Sequence, residues 1–146
     1  MDRDAGYALA LHDANLERTP DLTVLGDFSI ESGILAVEAL LAAKQAFTAV
    51  FCANDEMAMG AMRALKEQGF RIPEDVSVIG FDDIRYARHT DPPLTTVSQP
   101  MGALGRKAME LLLEILERPQ TPARKVVLPT ELIIRGSTGK RRRTAA

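Results

Sequence analysis

The stretch FTAVFCANDEMAMGAMRALKEQGFRIPEDVSVIGFDDIRYARHTDPP, residues 47–93, decides the fold class. Thr48–Cys52 is a short apolar run and predicts a buried strand. A helix follows over about Asp55–Gln68, with Met57, Ala58, Ala61, Met62 and Leu65 on one face. Gly69 stands where a glycine ends a helix by taking a left-handed backbone. Pro73-Glu74-Asp75 makes a turn, and Val76–Ile79 predicts the next strand. The unit is strand, helix, strand, with polar residues at the strand ends. Ligands of open α/β sheets bind at the carboxyl ends of the strands. Asn54 and Asp82 stand there, so they mark one half of a binding cleft.

The flanks extend the alternation. Asp4–Asn15 predicts a helix with Tyr7, Ala10, Leu11 and Ala14 on one face, and Leu22–Leu25 a short strand after Pro20. Gly26-Asp27-Phe28-Ser29 reads as a loop whose Ser29 caps the next helix. The stripe of that helix is Ile30, Gly33, Ile34, Val37, Leu40 and Leu41. After Asp83 the segment Ile84–Thr90 reads as loop, and Pro92-Pro93 leads into an extended strand at Leu94–Ser98. A long helix over Met101–Glu117 carries Met101, Leu104, Ala108, Leu111, Leu112 and Ile115 on one face. Val126–Leu128 and Glu131–Ile134 are short extended pieces. The fold class is therefore α/β with a parallel sheet.

The candidate residues admit more than one chemistry. Asn54 and Asp55 suit an N-cap pair, and either can also bond a ligand hydroxyl. The acidic pair Asp82-Asp83 suits Mg²⁺, phosphoryl acceptance or the gripping of sugar hydroxyls. The metal reading lacks a third clear ligand and the receiver reading lacks its lysine, so hydroxyl or amine recognition is the most economical. Phe28 is a core plug or a stacking platform at a cleft mouth. Cys52 has no histidine motif to activate it and reads as an inert buried thiol. Met59 departs from its helix stripe and sits among Glu56, Arg63, Lys66 and Glu67, as an ordinary exposed apolar residue or as an anchor for a subunit interface. There is no phosphate loop, serine elbow or CxxC, so neither an enzyme nor a cofactor is expected.

Composition agrees. The 18 Lys+Arg balance 20 Asp+Glu, for a net charge of −2, which gives no bulk attraction for nucleic acid. The basic run Lys140–Arg143 reads as a solvated tail. A single cysteine excludes an internal disulfide, and no apolar run reaches the length of a membrane span. With no apolar leader after Met1, the expected location is cytoplasmic.

Three stretches, 51–62, 73–83 and 92–99, resemble the lactose-repressor (LacI/GalR) family of transcription regulators. Glu131–Thr138 is similar to that family's closing segment, and Arg3 with Gly6-Tyr7 to its Arg-x-x-Gly-aromatic helix start. The resemblance implies a periplasmic-binding-protein-like fold in which two α/β subdomains flank an effector cleft. It assigns residues 1–98 to the C-terminal subdomain, without its first strand. Residues 99–128 then belong to the mostly absent N-terminal subdomain, 129–138 to a closing strand and 139–146 to a disordered tail. It implies a sugar, nucleoside or purine effector held by Arg3, Phe28, Asn54, Asp82 and Gln99. It also implies a homodimer packed through Met59, Arg88, His89 and Thr90, and operator DNA bound through a helix-turn-helix absent from this chain. The competing readings are a sugar-binding transport protein of the same fold and a gene fragment without function of its own. The stripe of the Met101–Glu117 helix is expected to lack a packing partner.

Overall fold

The computed structural model describes residues 2–44, 46–120, 122 and 124–140. In chain order the elements are α1 (Asp2–Asp13), α2 (Ile30–Ala42), β1 (Ala49–Phe51), α3 (Asp55–Glu67), β2 (Ser77–Asp82), β3 (Thr95–Ser98), α4 (Met101–Glu117) and β4 (Glu131–Ile133). Short 3₁₀ helices lie at Pro20–Leu22 and Arg85–His89.

Strands β1, β2 and β3 run parallel in that order, and β4 closes the sheet antiparallel to β3. The registers set Val50 beside Val78, Gly80 beside Thr96, and Thr96 beside Ile133. Asn54, Asp82 and Gln99 therefore all lie at the carboxyl ends of the parallel strands. The βαβ unit is the one the sequence predicts.

Helix α3 forms for local reasons. The Asn54 side chain accepts the Met57 N–H and so satisfies a free donor of the first turn. Asp55 and Glu56 place negative charge at the positive end of the helix dipole. All five residues of its predicted stripe are buried, together with Gly60 and Ala64. Helix α2 starts in the same way, with the Ser29 hydroxyl accepting the Ser32 N–H at 3.1 Å. The two helices approach so closely that only glycine fits at the crossing. A Cβ on Gly33 would lie 2.1 Å from the Met57 carbonyl oxygen, and one on Gly60 would lie 2.0 Å from that of Ile30. The core is the layer between these helices and one sheet face, built from Val37, Met57, Ala61, Leu65, Val78 and Leu94.

Several expectations are corrected. No strand forms at Leu22–Leu25. Pro20, with its fixed φ, opens a 3₁₀ turn instead, and the residues after it join no ladder. The strand expected at 48–52 forms only at Ala49–Phe51, and none of these three residues is fully buried. It is the edge of the sheet among the described residues, and Phe51 is 43% exposed. Phe51 pairs with Ile79, so it points to the face away from α2 and α3. Ile84–Thr90 is not plain loop, since it contains the 3₁₀ turn Arg85–His89. Val126–Leu128 pairs with nothing in the sheet, whereas Glu131–Ile133 does. The end of the basic tail, 141–146, lies outside the described residues.

Helix α4 buries none of its residues. Met101, Leu104, Met109, Leu112, Leu113, Ile115 and Leu116 are exposed, so its apolar stripe has no covering element among the described residues.

Candidate functional site

Asp82 ends β2 in an unusual backbone conformation, with φ at +117°, and Asp83 follows at +56°. Both values lie in the left-handed half of backbone space, where non-glycine residues are uncommon. The consequence is that two adjacent carboxylates serve different partners. Asp82 Oδ1 accepts from Gln99 Nε2 at 2.6 Å and, at the long limit of a hydrogen bond, from Arg3 Nη2 at 3.5 Å. Among the described residues no hydrogen bond reaches its other oxygen. The Arg3 guanidinium lies over the Phe81 ring, 4.1 Å from its centroid, a cation–π contact that fixes the side chain. Its Nε is shielded from solvent and has no hydrogen-bond partner among the described residues. Three elements thus deliver Arg3, Asp82 and Gln99 to one point.

Asp83 contacts Arg135 instead. Its Oδ1 accepts from Arg135 Nη2 at 2.6 Å, and both side chains are largely buried. The acidic pair is therefore split between two neighbours. Among the described residues no group of three or more histidine, cysteine or acidic side chains is placed to hold a metal ion.

Asn54 makes the cap weighed for it and, beyond that, a bond to the loop before α2. Its oxygen caps α3, and its Nδ2 donates to the Phe28 carbonyl at 2.8 Å. That bond holds Phe28, at φ +70°, a residue 53% exposed. Asp27 braces the same loop, accepting the Ser29 N–H at 3.0 Å and the Ser29 hydroxyl at 2.5 Å. These bonds lower its carboxyl to about 2. The five residues proposed for the effector therefore form two groups, Arg3–Asp82–Gln99 and Phe28–Asn54.

Asp55 joins the strand ends beneath them, a role hidden by the capping signal beside it. It is fully buried, its Oδ1 accepting the Thr96 hydroxyl at 2.5 Å and its Oδ2 the Ile84 N–H at 2.8 Å. Burial raises its carboxyl above the ordinary range. The bonds from Thr96 and Ile84 oppose that rise, and the nearby charges of Asp82 and Asp83 add to it. Gly80 makes room, since a Cβ there would lie 2.2 Å from Asp55 Oδ1. Ser137, also fully buried, bridges the Val78 carbonyl at 2.6 Å and the Thr95 N–H at 2.8 Å. Cys52 is buried, and its thiol is pushed up to about 12 by that burial and by the Asp55 charge, so it is not a nucleophile near neutral pH.

The interface candidates lie elsewhere. Met59 and Thr90 line one open groove with Met62, Arg63 and Lys66, while Arg88 and His89 are exposed beside it. The Thr90 hydroxyl sits between the carbonyls of Ala87, at 3.1 Å, and Pro92, at 2.8 Å. Lys66 bonds both the backbone carbonyl and the side chain of Asp91, which ties α3 to the groove's far lip.

A parallel sheet with polar groups gathered at its strand ends is the architecture of a binding domain, and the family comparison agrees. The model of the periplasmic binding protein-like domain matches residues 1–138. The chain belongs to that family, and the relatives it matches are LacI-type transcriptional regulators. The ribose operon repressor of Haemophilus influenzae is 40% identical over 137 residues, covering 94% of this chain and 41% of the repressor. The transcriptional repressor CytR of Escherichia coli K12 is 44% identical over 133 residues, covering 91% and 39%. The solved complex of the regulator CelR with cellobiose superposes with a TM-score of 0.87 at 40% identity, over 90% of this chain and 40% of that one. The chain thus spans about 40% of the length of these relatives. No helix among the described residues is long and apolar enough to cross a membrane.

Proposed function

We propose that this chain is the effector-binding and dimerisation portion of a LacI-type transcriptional regulator acting in the cytoplasm. Its effector is a neutral, hydroxyl-rich small molecule, a sugar or a nucleoside. The observation that carries this reading is the convergence of Arg3, Asp82 and Gln99 from separate elements on one carboxylate. Asp82 keeps an acceptor oxygen for a ligand hydroxyl, and Arg3 and Gln99 turn N–H groups toward the same point. The exposed Phe28 ring offers a π face to the C–H side of a sugar or to a base. The arginine beside Asp82 offsets its charge, which favours a neutral ligand over a cation. The name of the Haemophilus repressor and the cellobiose bound to CelR point to the same ligand class.

In the assembled regulator, effector binding shifts the equilibrium between closed and open subdomains and so alters operator affinity, with DNA contacted by a helix-turn-helix outside these residues. Two copies associate through the Met59–Thr90 groove with Arg88 and His89. We further propose residues 1–98 as the C-terminal subdomain, 99–128 as a contribution to a second subdomain and 129–138 as the closing strand.

Titration calorimetry with D-ribose, cellobiose, adenosine and cytidine tests the ligand reading. Binding of one of these, weakened at least tenfold by Asp82→Asn, is the expected result. Binding that Asp82→Asn leaves unchanged would contradict the assignment of Asp82, and no binding by any of the four would contradict the ligand class.

A further inference from the structure

The turn that carries Asp82 is held from outside the site. Residues 82 and 83 both have positive φ, a conformation that persists only where surrounding groups enforce it. One restraint is Asp55, which takes the Ile84 N–H at 2.8 Å. The stronger charge-assisted one comes from Arg135, just beyond β4. Its guanidinium grips Asp83 Oδ1 at 2.6 Å through Nη2 and the Leu94 carbonyl at 2.8 Å through Nη1. Its backbone N–H bonds Thr95 Oγ1 at 2.9 Å. The side chains of Arg135 and Asp83 are only 15% and 17% exposed, so water does not replace the pairing readily.

From this geometry we infer that Arg135 is a positioning residue for the effector contact, and that it keeps Asp82 turned toward Arg3 and Gln99 by clamping Asp83. This inference rests on the reading of Asp82 as an effector contact. Without the clamp, Arg3 is the one cation among the described residues that pairs with the carboxylates of Asp55, Asp82 and Asp83. The turn relaxes, and Asp82 swings away from Gln99. The clamp also ties the turn to the segment after β4, so a shift of Asp82 on binding is felt at the end of the closing strand.

A merely structural role would make Arg135 equivalent to Ser137. Ser137 fastens the same segment to β2 and β3 without touching the turn. The test compares Arg135→Gln, Arg135→Lys and Ser137→Ala in the full chain. Amide hydrogen exchange and the Gln99 side-chain NH₂ resonances are recorded without ligand, and affinity for D-ribose is then measured. For Arg135→Gln the expected result is exchange at Asp83 and Ile84 raised at least tenfold beyond the change at core amides such as Leu65, with the Gln99 resonances displaced. Arg135→Lys restores part of both effects, and Ser137→Ala shows neither. Exchange at Asp83 and Ile84 that rises only in step with Leu65, or equally in Ser137→Ala, overturns the inference. Where wild type binds D-ribose, Arg135→Gln weakens it at least tenfold. Unchanged affinity beside displaced Gln99 signals overturns the Asp82 reading and leaves the clamp standing.

Discussion

Replacing Asp55 separates the two things its carboxylate does. Alanine leaves the Thr96 hydroxyl and the Ile84 N–H without their buried acceptor and is expected to cost about 2–4 kcal/mol in denaturant unfolding. Asparagine can still accept from Ile84 while donating to Thr96, so its loss is expected to be nearer about 1 kcal/mol. The sign of the pH effect follows from the raised carboxyl. The folded chain holds this proton where the unfolded chain has lost it. The stabilisation is full below the ordinary carboxylate range and is lost as pH rises through the raised value. The stability margin of wild type over Asp55→Asn therefore narrows as pH rises out of the acid range. Ser29→Ala probes the loop beside it. The Asp27 carboxyl, followed by NMR, should climb from about 2 toward 3.8, while the lost cap destabilises α2 by about 1 kcal/mol. At this scale the sequence reading singled out Asn54 and Asp82, because each stands directly after an apolar run. It weighed Asp55 as a helix cap or a ligand contact, not as a buried tie between strand ends, and it gave Arg135 no role. Asp55 was hidden by the capping signal of its neighbour, and Arg135 lies 52 positions from Asp83, with no local pattern linking them.

At the scale of elements, the α2–α3 crossing is set by Gly33 and Gly60. Gly33→Ala must push the helices apart by moving backbone rather than a flexible side chain, and overpacking of this kind costs about 1–3 kcal/mol. A fall in thermal midpoint with little change in helical content is the expected outcome, and an unchanged midpoint would mean that the crossing has room for a methyl group. Helix α3 was legible because its small and apolar residues recur with helical spacing. The edge position of β1 was not, since Ala-Val-Phe reads the same in a central strand. Leu22–Leu25 carried strand-forming residues but had no strand to pair with. Helix α4 was legible in both extent and stripe, and its exposed leucines show the stripe uncovered. Each large aliphatic side chain is worth about 1.5–3 kcal/mol when buried, so this face is expected to drive self-association. Light scattering should show Leu112→Gln with Leu116→Gln reducing aggregation of the chain while leaving its circular dichroism unchanged.

At the scale of the whole molecule, one sheet joins two sites of different character. The polar group at the strand ends is reached by Arg3, Asp82 and Gln99, and the groove at Met59 and Thr90 lies beyond the helical layer. On the proposed reading a ligand at the first site and a second copy at the second would bind together, since α3 spans both, with Asn54 as its cap and Met59 on its groove face. The decisive experiment is to follow backbone amide resonances of the isotope-labelled chain during titration with the tightest-binding sugar or nucleoside. Shifts confined to Arg3, Phe28, Asn54, Asp82, Gln99 and their immediate neighbours, and lost in Asp82→Asn, are the predicted result. Shifts centred on Met59 and Thr90, or shifts that persist in Asp82→Asn, would contradict the assignment of the strand ends as the effector site.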